Sequence, residues 1–91
     1  MRTWEDYKKH VKIVDPMRAM DIVEMEELAT IIGAIIKQRN ALGLSQRDLA
    51  RICNIPQSSV ARMEAMKSKP NLGTILKVMQ PLGLKLQVAL A

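Results

Sequence analysis

Residues 42–64 read LGLSQRDLARICNIPQSSVARME, a stretch that predicts two short helices joined by a tight turn. Ser45 is a typical N-cap for the first helix, because its hydroxyl can accept a hydrogen bond from a backbone N–H of the first turn. Asn54 stands at the turn, where its short polar side chain tolerates a positive φ. Pro56 suits the start of the second helix, since the N–H that proline lacks would have no partner there.

The apolar residues of this stretch lie where two crossing helices need them. Leu49, Ala50 and Ile52 are predicted to form the apolar face of the first helix. Ala50 is small, so the two backbones can approach each other closely at the crossing. Ile55 and Val60 are predicted to fill the angle between the helices.

The outer face of the second helix carries side chains that suit the edges of DNA bases. These residues are Gln57, Ser58, Ala61 and Arg62. Glutamine pairs well with adenine and arginine with guanine, and alanine can contact the methyl group of thymine. An ordinary solvated helix face is the alternative. The surrounding pattern favours DNA contact, with Gln57 and Arg62 reading bases.

Helices are also predicted before this stretch. Thr3 caps a short helix that ends near residues 10–11, and Asp15 with Pro16 starts another. From residue 21 the apolar residues recur at steps of three and four, which predicts a long helix that reaches about Ala41 and stops at Gly43. The residues of its apolar face are Ile22, Met25, Leu28, Ala29, Ile32, Ile35 and Ile36.

A last helix and a strand are predicted at the C-terminal end. Asn71 caps the helix and Pro81 ends it, and its apolar residues are Leu72, Ile75, Leu76 and Met79. Beyond it, apolar residues alternate with other residues, which predicts a strand with one buried face. A lone strand is unstable, and the simplest partner is the same strand in another copy. We therefore predict a dimerisation strand over residues 84–91, with Leu84, Leu86, Val88 and Leu90 at the interface.

Composition limits the class of protein. A chain of 91 residues is long enough for one compact domain, and 48% hydrophobic residues argue against disorder. The chain has no apolar run long enough to span a membrane and no secretory signal at its start, so no membrane association is predicted. A single cysteine, Cys53, excludes an intrachain disulfide and fits the reducing cytoplasm.

The sequence offers little that could support catalysis. His10 has no cluster of metal ligands around it in the sequence, and Cys53 is expected to be a small core residue. We find no nucleophile with a nearby base and no glycine-rich loop that could hold a phosphate. The prediction is a protein that is not an enzyme and that has no metal and no cofactor.

Charge is distributed unevenly along the chain. The net charge is +5, and residues 31–91 hold nine basic and two acidic residues, a net charge of +7. Such a basic region is expected of a surface that binds phosphates. The acidic residues Asp21, Glu24, Glu26 and Glu27 form a separate run. This run is either a solvated helix face or an interface with a basic partner.

Residues 35–84 resemble the Xre-type helix-turn-helix family, the Cro-like and repressor-like domains of phages. The matching positions are Arg39, Leu44, Ser45, Gln46, Leu49, Ala50, Asn54, Ile55, Val60, Arg62, Glu64, residues 67–72, Leu82 and Gly83. The resemblance implies an all-α fold with a five-helix domain. Residues 45–53 would form the positioning helix and residues 56–66 the recognition helix. The family usually has glycine where Met66 stands, so the recognition helix is expected to run on or to end differently here.

The resemblance also implies which residues contact DNA. The predicted set is Ser45, Gln46, Gln57, Ser58, Ser59, Arg62, Lys67, Ser68 and Lys69. Lys67, Ser68 and Lys69 would lie near the phosphates. Arg39 and Glu64 would form a partly buried ion pair that joins the first family helix to the recognition helix.

The flanks of the domain resemble HigA-type antitoxins. The features are Trp4, the pair Asp15 and Pro16, and the closing LGLKL of residues 82–86. The resemblance implies residues 1–30 as an N-terminal helical extension, residues 31–83 as the DNA-binding domain and residues 84–91 as the dimerisation strand. It also implies a homodimer that represses its own operon at a palindromic operator and neutralises a RelE/HigB-like toxin. A free-standing phage-like repressor without a toxin and a protein-interaction module without DNA binding are the alternatives.

Overall fold

The computed structural model describes residue 3 and residues 16–90, and the side chains of the long helix from residue 21 onward. This part of the chain is mostly helical, as predicted, with α-helices α1 (Pro16–Ala41), α2 (Gln46–Cys53), α3 (Gln57–Glu64) and α4 (Leu72–Met79). A short 3-10 helix, Gln80–Leu82, follows α4. The helix predicted over residues 3–11 lies, apart from residue 3, outside the described residues. None of the helices described is long and apolar enough to cross a membrane.

The chain divides into two compact units, residues 1–30 and residues 31–91. In the first unit, the described part of α1 buries Leu28 and exposes Asp21, Glu24 and Glu27. Met25 and Ala29 were predicted on the apolar face of α1, but both are exposed, Met25 to 49%. Spacing sets the side of a helix on which a residue lies, but not whether another element covers it. The division into residues 1–30, 31–83 and 84–91 as functional parts stays a prediction.

The core of the second unit is built from one apolar side of each helix. Its buried residues are Ile32, Ile35, Leu49, Ala50, Cys53, Val60, Met63, Ile75, Val78, Met79 and Leu82. Ile35, Leu49, Val60 and Val78 are completely inaccessible to solvent. Burial of one such side chain contributes about 1.5–3 kcal/mol. These residues therefore fix how α2 and α3 pack against the C-terminal end of α1 and against α4.

The two predicted turn residues end α1 and α2 in the same way. Gly43 has a φ of +71° and Asn54 a φ of +56°, both in the left-handed region. The Leu44 N–H donates to the Arg39 carbonyl and the Ile55 N–H to the Ala50 carbonyl, both over 3.0 Å. These bonds satisfy carbonyls that a helix end leaves free. The predicted stop at Gly43 and the predicted positive φ of Asn54 are confirmed.

Three residues of the second unit that were predicted to lie inward are exposed. Leu72, the first residue of α4, is 57% exposed, Ile52 is 54% exposed and Leu76 is 45% exposed. At 3.6 residues per turn, Ile52 and Leu76 each lie roughly 100° around their helices from the centre of the buried side. On α2 that side consists of Leu49, Ala50 and Cys53. A helix of eight residues can turn only one narrow side toward the core, so an apolar residue outside it stays in solvent.

The strand predicted over residues 84–91 is not formed in residues 84–90 of the single chain. Residues 84–90 form neither helix nor strand, and no strand occurs elsewhere in the part of the chain described. Val88 is 94% exposed and Leu90 is fully exposed, whereas Leu84 and Leu86 are half-buried. A strand needs a neighbour with which to form hydrogen bonds, and the described chain does not supply one. The five-helix count is also not confirmed, since the described residues form four α-helices and one 3-10 helix.

Candidate nucleic-acid interface

A capping box fixes the start of α2. The Ser45 hydroxyl accepts a hydrogen bond from the Asp48 N–H over 3.0 Å, and the Ser45 N–H donates to the Asp48 carboxylate over 2.9 Å. The bond from the Ser45 N–H is the main reason why the pKa of Asp48 lies below its usual range. The predicted cap is confirmed, and it holds Gln46 at the first position of α2.

Arg39 and Glu64 form a two-pronged ion pair between α1 and the last residue of α3. The Arg39 Nε atom lies 2.7 Å from Glu64 Oε2, and Nη2 lies 2.8 Å from Oε1. The side chains are only 11% and 6% exposed. The hydrogen bond to Glu64 raises the pKa of Arg39 above its ordinary value, although burial acts in the opposite direction. The third guanidinium nitrogen donates to the Leu44 carbonyl over 2.8 Å, which holds the turn after α1.

Gln46 joins this ion pair, which the sequence did not predict. Its side-chain nitrogen donates to Glu64 Oε1 over 2.9 Å, and Gln46 is half-buried. Glu64 therefore binds α1 through Arg39 and α2 through Gln46. No spacing rule in the sequence links Gln46 to Glu64, because the two residues meet only when α2 and α3 cross.

The outer face of α3 is open to solvent. Gln57 and Ser58 lie exposed on its first turn, Arg62 lies exposed on its last turn, and Ser59 is half-buried. The first turn of a recognition helix is the part that contacts base edges in helix-turn-helix complexes. Ser45 is exposed at the start of α2. The contacts of all these residues with DNA stay predictions.

Met66 follows the end of α3 in a left-handed conformation, at the position where the resemblance led us to expect glycine. Helix α3 ends at Glu64, and Met66 has a φ of +58°. The Met66 N–H donates to the Met63 carbonyl over 3.1 Å, and the Lys67 N–H donates to the Arg62 carbonyl over 2.9 Å. Helix α3 therefore does not run on past Glu64, and the residue that follows its C-cap adopts the left-handed conformation. The left-handed backbone costs about 1–2 kcal/mol for a residue with a side chain, and the two hydrogen bonds offset that cost.

The loop after α3 holds the remaining predicted residues. Lys67, Ser68 and Lys69 are all exposed, and the loop ends at Asn71. The Asn71 side chain accepts a hydrogen bond from the Thr74 N–H over 2.8 Å, which confirms Asn71 as the N-cap of α4. The loop therefore runs between two fixed helix ends.

A cavity of about 300 Å³ lies next to α3. Its polar lining comes from Ser59 and Arg62 of α3, Ser68 of the loop and Thr74 of α4. Ile55, Met63 and Pro70 form the apolar part of the lining. The structure thus brings three predicted contact residues together and adds Thr74. Thr74 could not be identified from the sequence, since it lies outside the helix-turn-helix stretch.

No metal centre is formed by the residues that the structure describes, because no three His, Cys, Asp or Glu side chains among them lie close enough together. Cys53 is buried, and its sulfur donates to the Lys77 carbonyl over 3.6 Å. Burial raises the pKa of the Cys53 thiol. The thiol therefore stays protonated and packs as a core residue.

Comparison with known proteins points to the same region. A family model described as helix-turn-helix matches residues 35–88, more than half of the chain. The chain is also similar to an uncharacterized HTH-type transcriptional regulator of Haemophilus influenzae, with 28% identity over 85 residues. The matched residues cover 93% of this chain and 82% of that protein. No solved structure matches the chain.

Proposed function

The chain belongs to the helix-turn-helix family, and from that membership we propose that it is a sequence-specific DNA-binding repressor of transcription. The family and the similar transcriptional regulator support DNA binding and transcription regulation. The charge of α3 and its loop supports affinity for DNA, and the exposed side chains of Gln57, Ser58 and Arg62 support the more specific proposal of sequence-specific repression.

The observation that carries the proposal is the burial of Glu64. It is the only acidic residue after Asp48 in the sequence. Because Glu64 is 6% exposed and paired with Arg39, its charge is neutralised inside the domain. The exposed surface around Arg62 and Lys67 therefore carries positive charge from α3 and its loop without an exposed carboxylate from the same segment. Such a surface attracts phosphates and does not repel them.

The second step of the proposal is a homodimer on a palindromic operator. Two recognition helices would enter successive major grooves, about 34 Å apart. The fully exposed Val88 and Leu90 support a partner for the C-terminal tail, and the same tail of a second copy can form the missing strand pair. Removal of residues 84–91 is expected to weaken dimerisation in sedimentation equilibrium. A truncated chain that stays fully dimeric would exclude the tail as the interface.

The third step is the role of antitoxin in a toxin–antitoxin system of the cytoplasm. One support is the resemblance of the segments before and after the DNA-binding domain to HigA-type antitoxins. Two further supports are the separate unit formed by residues 1–30 and the exposed acidic residues Asp21, Glu24 and Glu27. The partner would be a basic RelE/HigB-like ribonuclease. The second candidate is a free-standing regulator without a toxin, and the similarity to an HTH-type transcriptional regulator of Haemophilus influenzae is compatible with both candidates.

The DNA-binding proposal is tested by selecting duplexes from a random pool with the purified chain. Gln57→Ala is expected to lower the preference for the selected sequence over a scrambled one by about 10-fold, because one good base contact contributes about 1–3 kcal/mol. Gln80→Ala is the matched control, since Gln80 is exposed but lies beyond α4. An unchanged preference after Gln57→Ala would remove this residue from base recognition, and a chain that selects no sequence would refute sequence-specific repression.

The two candidate roles are separated by the neighbouring reading frame. If a small basic protein encoded beside this chain stops growth when expressed alone, co-expression of this chain is expected to restore growth. Substitution of Asp21, Glu24 and Glu27 by asparagine or glutamine should reduce that rescue while DNA binding is unchanged. Absence of any toxic neighbour would favour the free-standing regulator.

A further inference from the structure

The cavity next to α3 contains four side chains that can donate hydrogen bonds and no carboxylate. Arg62 and the hydroxyls of Ser59, Ser68 and Thr74 line it. In the part of the chain that the structure describes, none of these four side chains forms a hydrogen bond or an ion pair with another residue. Four donor groups without protein partners therefore surround one small space.

Arg62 favours a negatively charged ligand with acceptor oxygens, and each of the three hydroxyls can donate a hydrogen bond to such a ligand. A phosphodiester group fits this description, because it has oxygen acceptors and one negative charge and no donor. Arginine, serine and threonine are among the side chains that contact DNA phosphates most often. Buried Met63 and half-buried Ile55 also line the cavity, whereas Arg62 and Ser68 are exposed, so a ligand can reach the donor groups from solvent.

The position of the cavity assigns it to the DNA backbone. It lies along the side of α3 that carries Ser59, Arg62 and Met63, whereas Gln57 and Ser58 are not among its lining residues. In helix-turn-helix complexes the N-terminal residues of the recognition helix contact bases, and other residues contact the flanking phosphates. We propose that this cavity holds one phosphate of the DNA backbone, bound by Arg62, Ser59, Ser68 and Thr74. The inference rests on the proposed DNA-binding function.

This assignment gives Arg62 and Thr74 new roles. The sequence predicts that Arg62 reads a base, whereas the cavity makes it a phosphate ligand that contributes affinity without discrimination. Thr74 becomes a DNA-contacting residue outside the helix-turn-helix stretch. Both roles predict equal losses of affinity on the selected duplex and on a scrambled duplex.

The salt dependence of binding tests the role of Arg62. The affinity of the full-length chain is measured on both duplexes over a range of salt concentrations. Arg62→Gln should lower the slope of log affinity against log salt by about 0.9 and weaken both complexes about 8-fold at 0.1 M salt, the effect of one lost phosphate contact. The matched control is Lys77→Gln, which removes one exposed charge on α4 away from the cavity and should leave the slope unchanged.

Thr74→Val tests the hydroxyl without a change of shape or charge. It should weaken both complexes about fivefold, the effect of one hydrogen bond, with an unchanged slope. Binding at the wild-type affinity would remove Thr74 from the site. If Arg62→Gln weakens only the selected duplex at an unchanged slope, Arg62 reads a base and the inference is overturned. If instead the wild-type chain binds neither duplex, the proposed function itself fails.

Discussion

Replacement of Glu64 by glutamine should destabilise the second unit strongly, because it changes the charge of a buried group and keeps its shape. The wild-type carboxylate accepts two hydrogen bonds from Arg39, over 2.7 and 2.8 Å, and one from Gln46 over 2.9 Å. A glutamine side chain has one acceptor oxygen and places an NH₂ group against these donors. If the neighbouring side chains kept their positions, the Arg39 side chain would stay 11% exposed to solvent. The Leu44 carbonyl would then be its only strong hydrogen-bond acceptor.

The expected loss of stability follows from that geometry. Removal of one partner from a buried ion pair costs about 3–5 kcal/mol, because the other charge is left without its counterion. We expect about 3 kcal/mol for Glu64→Gln, since Arg39 keeps one hydrogen bond and some contact with water. A domain of this size gains about 5–15 kcal/mol on folding, so the variant would lose a large part of it. The Tm should fall by about 12–24 °C.

The assay is a double-mutant cycle followed by urea and thermal unfolding, with the helical circular dichroism signal as the probe. Arg39→Gln should cost about as much as Glu64→Gln, and the double variant should cost at least about 1.5 kcal/mol less than the two added together. Glu27→Gln is the control at an exposed carboxylate and should change stability by less than about 0.5 kcal/mol. Additive single effects, or a Glu64→Gln chain within about 1 kcal/mol of wild type, would refute the reasoning.

Three further predictions concern the backbone and pH. Met66→Gly should be about 1 kcal/mol more stable than Met66→Ala in urea unfolding, because φ at this position is +58°, and the reverse order would contradict the left-handed conformation. Gly33→Ala should raise the free energy of unfolding by about 0.5–1 kcal/mol, since Gly33 is a solvent-exposed residue in the middle of α1 and an added Cβ would meet no atom within 4 Å. A loss of stability would mean that another part of the protein covers this surface. Folding lowers the pKa of Asp48, so its carboxylate stabilises the folded chain at pH values above the usual carboxyl pKa of about 4. This contribution disappears as the pH falls through the lowered pKa. The urea midpoints of wild type and Asp48→Asn should therefore converge in acid, and a constant difference between pH 7 and pH 2 would count against this role of Asp48.

Features that depend on a few neighbouring residues could be predicted from the sequence. Ser45 and Asn71 were predicted as N-caps and Asn54 as a residue with positive φ, because each of these roles is decided within one helical turn. The resemblance also implied the pairing of Arg39 with Glu64, and the structure places the two side chains 2.7 Å apart.

Features that depend on packing could not be predicted in this way. Ile52 has the polarity of a core residue, yet it is 54% exposed, because the crossing of α2 with the other helices decides which side is covered. The bond from Gln46 to Glu64 and the cavity wall at Thr74 each need two elements that are distant in the sequence. The left-handed conformation of Met66 could not be predicted for a different reason. Its side chain disfavours a left-handed backbone, but the hydrogen bonds at the end of α3 require one.

The Arg39–Glu64 pair links the stability of the domain to the charge of its DNA-binding surface, and its two single variants separate these effects. Both Arg39→Gln and Glu64→Gln break the same pair, so both should lose about the same stability. Arg39→Gln leaves an unpaired negative charge on α3, which should repel phosphates and weaken binding to any duplex. Glu64→Gln leaves an unpaired positive charge, which should strengthen non-specific binding at low salt. Equal losses of affinity in both folded variants, measured below their Tm values, would mean that the pair affects DNA only through the position of α3.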